Sequence, residues 1–95
     1  MAVRLIVTFK AKAGQGSQMA AAFGPVAEEV RREKGCEQYE MFQSADNPDT
    51  LVLLERWTTA EDLEVHGAAM RARGPSPTTA FRDESAPPMV ERFEV

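Results

Sequence analysis

The sequence predicts an α+β domain in which four strands form one antiparallel sheet and two helices cover one of its faces. Three observations carry this. Apolar and polar residues alternate with period two at both ends of the chain, in "AVRLIVTFKAK" and "PPMVERFEV". Apolar residues recur at helical spacing in two intervening segments. Between those segments a turn-forming pentapeptide, "ADNPD", separates two further apolar runs closely enough for a hairpin. The resulting order, β-α-β-β-α-β, is the ferredoxin-like split arrangement.

Each element has its own signature. Residues 2–12 place Val3, Leu5, Val7 and Phe9 on one face of a strand and Arg4, Ile6, Thr8 and Lys10 on the other. "AGQGS" breaks the strand, and Ser17 is placed to cap the helix that follows. Met19, Phe23, Val26 and Val30 form its apolar stripe; "EEVRREK" reads as its solvated end and Gly35 as the residue that stops it. Gly24-Pro25 falls inside this helix. Proline removes a backbone donor and crowds the preceding turn, so a kink or a break is expected there. "CEQYEMFQS" (36–44) and "TLVLLERWT" (50–58) are the second and third strands. Thr59 starts the second helix, with Asp62 three residues on in the capping pattern of a hydroxyl followed by an acid. "RGPSP" ends that helix, "TTAFRDES" suits one short further helix, and "PPMVERFEV" is the fourth strand.

The chain of 95 residues is read as one domain, 1–95, with net charge -4. That balance argues against a nucleic-acid binder, which would carry a basic patch. No apolar run approaches membrane-spanning length, and the N-terminal segment, with Arg4 inside its apolar run, lacks the layout of a signal peptide. A single cysteine, Cys36, fits a reducing compartment, and a cytoplasmic location is expected. Metal-ligand spacing is absent, and "GQG" at 14–16 lacks the context of a nucleotide-binding loop.

The third strand is apolar on both faces: Leu51 and Leu53 point one way, Val52 and Leu54 the other. Two helices cover only one face of a four-stranded sheet. An uncovered apolar face is rarely tolerated by a monomer, so a homodimer joined through its sheet faces is expected.

Few residues are equipped for chemistry. His66 is the only histidine. On a helical wheel it lies roughly 70° from the centre of the Leu63–Gly67–Met70 stripe, on the margin between sheet and water. Asp62, one turn earlier, has the spacing to orient the imidazole. The ring then serves as acid, base or donor to a bound oxygen, or simply makes a local contact with Asp62. Trp57, the only tryptophan, shares a strand face with Glu55. Its indole N–H needs a partner when buried, and a ligand oxygen would serve; packing alone is the plainer alternative. Glu55 needs a partner too, with Arg4, Arg56 or Tyr39 as candidates. Tyr39 and Met41 share a face of the second strand. Cys36 has no basic neighbour that would activate it and reads as a small buried hydrophobe.

Residues 35–66, "GCEQYEMFQSADNPDTLVLLERWTTAEDLEVH", resemble the antibiotic biosynthesis monooxygenase family of dimeric α+β barrels. The resemblance rests on Gly35, Cys36, Tyr39, Ser44, Pro48, Glu55, Trp57, Ala60 and His66 taken together. It implies a homodimer whose facing sheets form a barrel, with a pocket in each subunit between sheet and helices. It also implies oxidation of a small phenol-, quinol- or polyketide-like substrate without flavin or metal, dioxygen being the co-substrate. His66 would be base or anion stabiliser and Trp57 a hydrogen-bond donor. Tyr39, Glu55, Met41, Met70 and Phe23 would contact substrate, and Arg71 or Arg73 would supply a counter-charge. Haem-degrading relatives carry an Asn on the first strand where this chain offers Thr8, so haem binding is the less favoured expectation. Where relatives often place a second polar group after the histidine, this chain reads Gly67-Ala68-Ala69-Met70. A non-catalytic small-molecule-binding or accessory dimer is the alternative from another class. The polar, proline-rich segment after the second helix would make an unusual lid.

Overall fold

The computed structural model describes all 95 residues. Strands β1 (Val3–Lys10), β2 (Cys36–Gln43), β3 (Thr50–Trp57) and β4 (Met89–Glu94) alternate with helices α1 (Gly16–Val30) and α2 (Ala60–Arg73) in the expected order. A single 3₁₀ turn, Thr79–Phe81, precedes β4. The sheet runs β2-β3-β1-β4, with every neighbouring pair antiparallel. This is the ferredoxin-like α+β fold, and in one chain the sheet is open.

The register explains how the faces divide. Val3, Leu5, Val7 and Phe9 lie opposite Trp57, Glu55, Leu53 and Leu51, and this row faces the helices. On that side Leu51, Leu53, Glu55 and Trp57 are all buried, together with Val3 and Val7. Phe23, Ala27 and Val30 of α1 complete the main core with Tyr39 of β2. Met19, Ala11 and Leu51 form a smaller core at the other end of the sheet. On the second face Ile6, Val52 and Leu54 are half-buried and Phe42, Met89 and Phe93 exposed, with no element over them. The two-sided pattern of β3 thus corresponds to one face covered by helices and one apolar face left bare.

Three local expectations need correction. The cap of α1 is not Ser17. Gln15 occupies the cap position without a side-chain bond, and the Asp49 carboxylate accepts from the N–H groups of Gly14 and Gly16 instead. A carboxylate is well placed at a helix N-terminus, where it meets unpaired donors and the positive end of the dipole. Ser17 accepts from the Gln43 side chain. Gly24-Pro25 does not break α1, which runs through both. Pro25 and Ala21 lie on the exposed side, so the carbonyl that loses its donor faces water, while Phe23 and Ala27 hold the helix to the sheet.

Gly35 does not stop α1 either. The helix ends at Val30, and tight turns carry the chain from there to Cys36, with the N–H of Glu33 reaching Val30 O and that of Cys36 reaching Glu33 O. Gly35 is the turn residue before β2, at φ 81°, and a Cβ there would collide with the Asp62 carboxylate. Left-handed backbone and close approach both select glycine.

The connection after α2 is strapped down. Lys12 N–H donates to Phe81 O and Asp83 N–H to Lys10 O, each at 2.8 Å, while Phe81 packs on the smaller core. Beyond it β4 pairs only with β1 and is exposed along its whole length.

Candidate active site: a buried imidazole between two carboxylates

β3 ends with Glu55 and Trp57 on the helix-facing side, and α2 lays His66 against them. Trp57 and His66 stack, with ring centroids 4.6 Å apart and planes 28° from parallel. Tyr39 meets His66 edge-on at 5.4 Å and stacks on Phe23 at the same centroid distance. The β2 bulge between Cys36 and Gln38 sets this register, bringing Tyr39 opposite Glu55. Tyr39, Trp57, His66 and Glu55 are each 6% exposed or less.

Hydrogen bonding ties the cluster together. The Trp57 indole N–H donates to Glu55 Oε1 at 3.0 Å. His66 Nε2 lies 3.9 Å from the same oxygen, and Nδ1 lies 2.9 Å from Glu33 Oε1. One imidazole is thus flanked by two carboxylates on its two nitrogens. Burial pushes the Glu55 carboxyl above the usual carboxylate range. The Trp57 N–H and His66 pull the other way, and the charge of Glu33 adds to the rise. Burial, reinforced by Glu55 and Glu33, also raises the Tyr39 phenol far above its ordinary value, so it is neutral. Burial and the same two carboxylates raise the Cys36 thiol, which agrees with an unactivated cysteine.

This geometry corrects several assignments. His66 sits at the centre of the buried face of α2, whose only buried residues are Asp62 and His66, rather than on its margin. The Leu63–Gly67–Met70 stripe is only half-buried because α2 leans with its Asp62–His66 edge on β3. Its imidazole partner is Glu33, not Asp62, which lies over Gly35. The Trp57 N–H is satisfied by Glu55 and is not free for a ligand. Glu55 is partnered by Trp57 and His66; Arg4 bonds Gln38 and Arg56 pairs with Glu37. Glu33 was hidden in the charged run "EEVRREK". Only the early end of α1 turns it inward, and no periodicity reports that.

Phe23, Tyr39, Glu55, Trp57 and His66 are therefore brought together, with Met41 and Met70 packed at the edge of the same core. None of Phe23, Glu55, Trp57 or His66 lines an open cleft. Arg71 lies elsewhere, in a groove of about 530 Å³ between α2 and the β1–β4 side of the sheet. Leu5, Leu63 and Val90 give this groove an apolar floor; Arg71 and Arg92 stand on it with Glu64 and Gly67. Neither guanidinium makes an ion pair. Leu5 and Leu63 pack directly on the main core, and Leu5 is the neighbour of Glu55 across β1 and β3. Arg73 instead pairs with Glu29 at 3.1 Å, beside a smaller cleft of about 230 Å³ whose walls include Val26, Met70, Pro75 and Pro77. The proline-rich strap thus borders the Met70 cleft and does not close over the groove. Arg92 went unnoticed in the sequence because only the pairing of β4 with β1 carries it to Arg71.

No group of side chains has the make-up of a metal site, and no helix is long and apolar enough to cross a membrane. The elements and their order define a small ferredoxin-like α+β domain with a buried Glu-x-Trp on β3 and a buried histidine on α2. The chain belongs to the antibiotic biosynthesis monooxygenase family, whose model matches residues 2–72. No curated protein matches it. Among solved structures it is similar to a conserved protein from Methanosarcina mazei Go1, at 21% identity and TM-score 0.83, covering 98% of this chain and 91% of that one. Rv0793 from Mycobacterium tuberculosis has 24% identity and TM-score 0.74, over 100% and 95% of the two chains. A structure named antibiotic biosynthesis monooxygenase has 17% identity and TM-score 0.74, over 98% and 97%. These likenesses describe the fold.

Proposed function

We propose that the protein is a monooxygenase that oxidises an electron-rich aromatic anion, a phenolate or quinol-like species, held in the groove between α2 and β4. The observation that carries this reading is the pair of free guanidiniums, Arg71 and Arg92, over an apolar floor one side-chain layer from Glu55 and His66. The volume suits a small ring system. Two cations beside an apolar surface favour ionisation of a phenol, because they stabilise the charged form while the ring is desolvated.

The chemistry needs nothing more than the substrate and dioxygen. Triplet oxygen reacts poorly with closed-shell molecules, but an aromatic anion can donate one electron to it. For a substrate that becomes a quinone, a CH₂ group and O₂ give C=O and H₂O, so atoms and electrons balance without flavin or metal. The protein's work is to hold the anion, keep water off the ring and manage the proton. Glu64 stands in the groove itself, and the Glu55–His66 pair is the buried proton acceptor behind its Leu5 and Leu63 floor.

A second chain completes the account. The bare apolar face of Ile6, Val52, Leu54 and Phe42 is proposed to meet its copy, closing two open sheets into a barrel. Sedimentation at micromolar concentration should give a dimer; a stable monomer would contradict it.

Oxygen uptake by metal-free protein given a panel of anthrones and hydroquinones tests the activity. Uptake above background, lost in His66→Ala with folding intact, supports it; background rates throughout sink it. One observation favours a second reading, a small-molecule-binding dimer without turnover: His66 and Trp57 open onto no cleft. Ligand-dependent thermal stabilisation without oxygen uptake would select that reading.

A further inference from the structure

The proposed oxygenase reading leaves Glu33 without a role, yet its placement is the least expected feature of the site. It lies on the turn between α1 and β2, in the midst of a charged run, and points its carboxylate inward. Oε1 meets His66 Nδ1 at 2.9 Å, and Oε2 is turned in from the surface and meets no protein donor. The side chain is only 22% exposed, whereas an ordinary surface glutamate turns outward to water. On the far side of the ring, Nε2 faces Glu55 Oε1 at 3.9 Å, an oxygen already receiving the Trp57 N–H. The ring stacks on Trp57 and meets Tyr39 edge-on.

A carboxylate can only accept, so its partner nitrogen must carry the hydrogen. We propose that Glu33 is a positioning residue for His66: it takes the Nδ1–H bond and thereby turns the Nε2 lone pair inward onto Glu55, so that Glu55 and His66 act as one couple sharing a single proton. A proton that reaches the Glu55 carboxylate from the groove side passes to Nε2. The resulting imidazolium carries hydrogen on both nitrogens and is flanked by two carboxylates, Glu33 compensating the charge on the outer side. The proton returns along the same path when reduced oxygen leaves as water. Glu33 thus acts through His66 and does not touch substrate. The burial that holds the Glu55 carboxyl above its usual range makes it a better match for this exchange.

The use of the proton rests on the oxygenase reading; the tautomer does not. Because the chain has one histidine, ¹⁵N-histidine labelling reports His66 alone. Spectra taken at a pH where the ring is neutral should show hydrogen on Nδ1 and a bare Nε2. Glu33→Ala should move the hydrogen to Nε2, where Glu55 can accept it. Glu33→Gln should keep the Nδ1–H form, since the amide oxygen still accepts, but lower oxygen uptake about tenfold or more by removing the compensating charge. An Nε2–H ring in the unaltered protein, an unchanged tautomer in Glu33→Ala, or full uptake in Glu33→Gln overturns the proposal. Should Glu33→Ala not fold, the unaltered protein and Glu33→Gln decide it. No uptake in any variant counts against the oxygenase reading, and the tautomer is still read from the spectra.

Discussion

The helix-covered side of the sheet has two unlike halves. Over β2, β3 and part of β1 it is sealed: α1 and α2 bury Leu53, Tyr39, Trp57 and His66 with their carboxylates. Over the β1–β4 side it is open, because β4 extends past the reach of α2 and leaves Leu5, Leu63 and Val90 as a floor under two arginines. The buried Glu33–His66–Glu55 cluster is in the closed half, and the unpaired Arg71 and Arg92 are in the open one with Glu64 beside them. Leu5 and Leu63 form the partition. In the proposed reading, a site divided in this way keeps the buried acid–base groups dry without requiring the substrate to enter the core.

Substitutions separate the halves, and the largest effects belong to the sealed one. Leu53→Asp would bury an unpaired charge in the main core and should prevent folding, a loss of more than about 4 kcal/mol by denaturation. Leu54→Asp, one residue on but on the bare face, should leave the chain folded and shift sedimentation from dimer to monomer. Equal unfolding by both would show that the bare face is core in its own right. Gly35→Ala forces a Cβ into Asp62 at a left-handed backbone position and should cost about 2–4 kcal/mol in chemical denaturation. Asp49→Ala, which removes the carboxylate from the start of α1, should cost about 1 kcal/mol.

The pH dependence of stability sharpens the same division. Burial raises the Glu55 carboxyl in the folded protein, so the folded state holds that proton more tightly than the unfolded chain does. Its contribution to stability is therefore fully present below the unfolded value and is lost as pH rises through the folded one. Glu55→Gln keeps an acceptor for Trp57 and removes this titration. The stability of the unaltered protein relative to Glu55→Gln should fall between weakly acidic and neutral pH. Taking the difference cancels Glu37 and Asp83, whose hydrogen bonds lower their carboxyls and give the opposite trend. A flat or rising difference would mean that Glu55 is not held as the structure shows.

Much of the fold was legible because period and punctuation agree. Alternation in β1 and β4, the "ADNPD" turn and the Thr59 cap each fixed an element locally, and the cap bond from Asp62 N–H to Thr59 forms. The cluster of Tyr39, Glu55, Trp57 and His66 was readable as a set of residues, through strand parity and family resemblance. What those residues bond to was not. Glu33 and Asp49 both act across more than thirty residues, on His66 and on the start of α1, and each lies in a run whose local character is solvated or turn-like. Arg92 reaches Arg71 only through strand pairing. Helix-wheel geometry misplaced His66 because it takes the apolar stripe as the buried one, whereas α2 buries its polar Asp62–His66 edge.

The groove is the central claim, and binding tests it most directly. An anionic hydroxyaromatic acid titrated into metal-free protein should give a saturable change in the fluorescence of Trp57, the chain's only tryptophan. Removing both cations, Arg71→Gln with Arg92→Gln, should weaken binding about tenfold or more while shifting stability by no more than about 0.5 kcal/mol. Unchanged affinity in that double variant, with weakened binding in a variant of Val26 or Met70, would place the ligand in the smaller cleft and contradict the account.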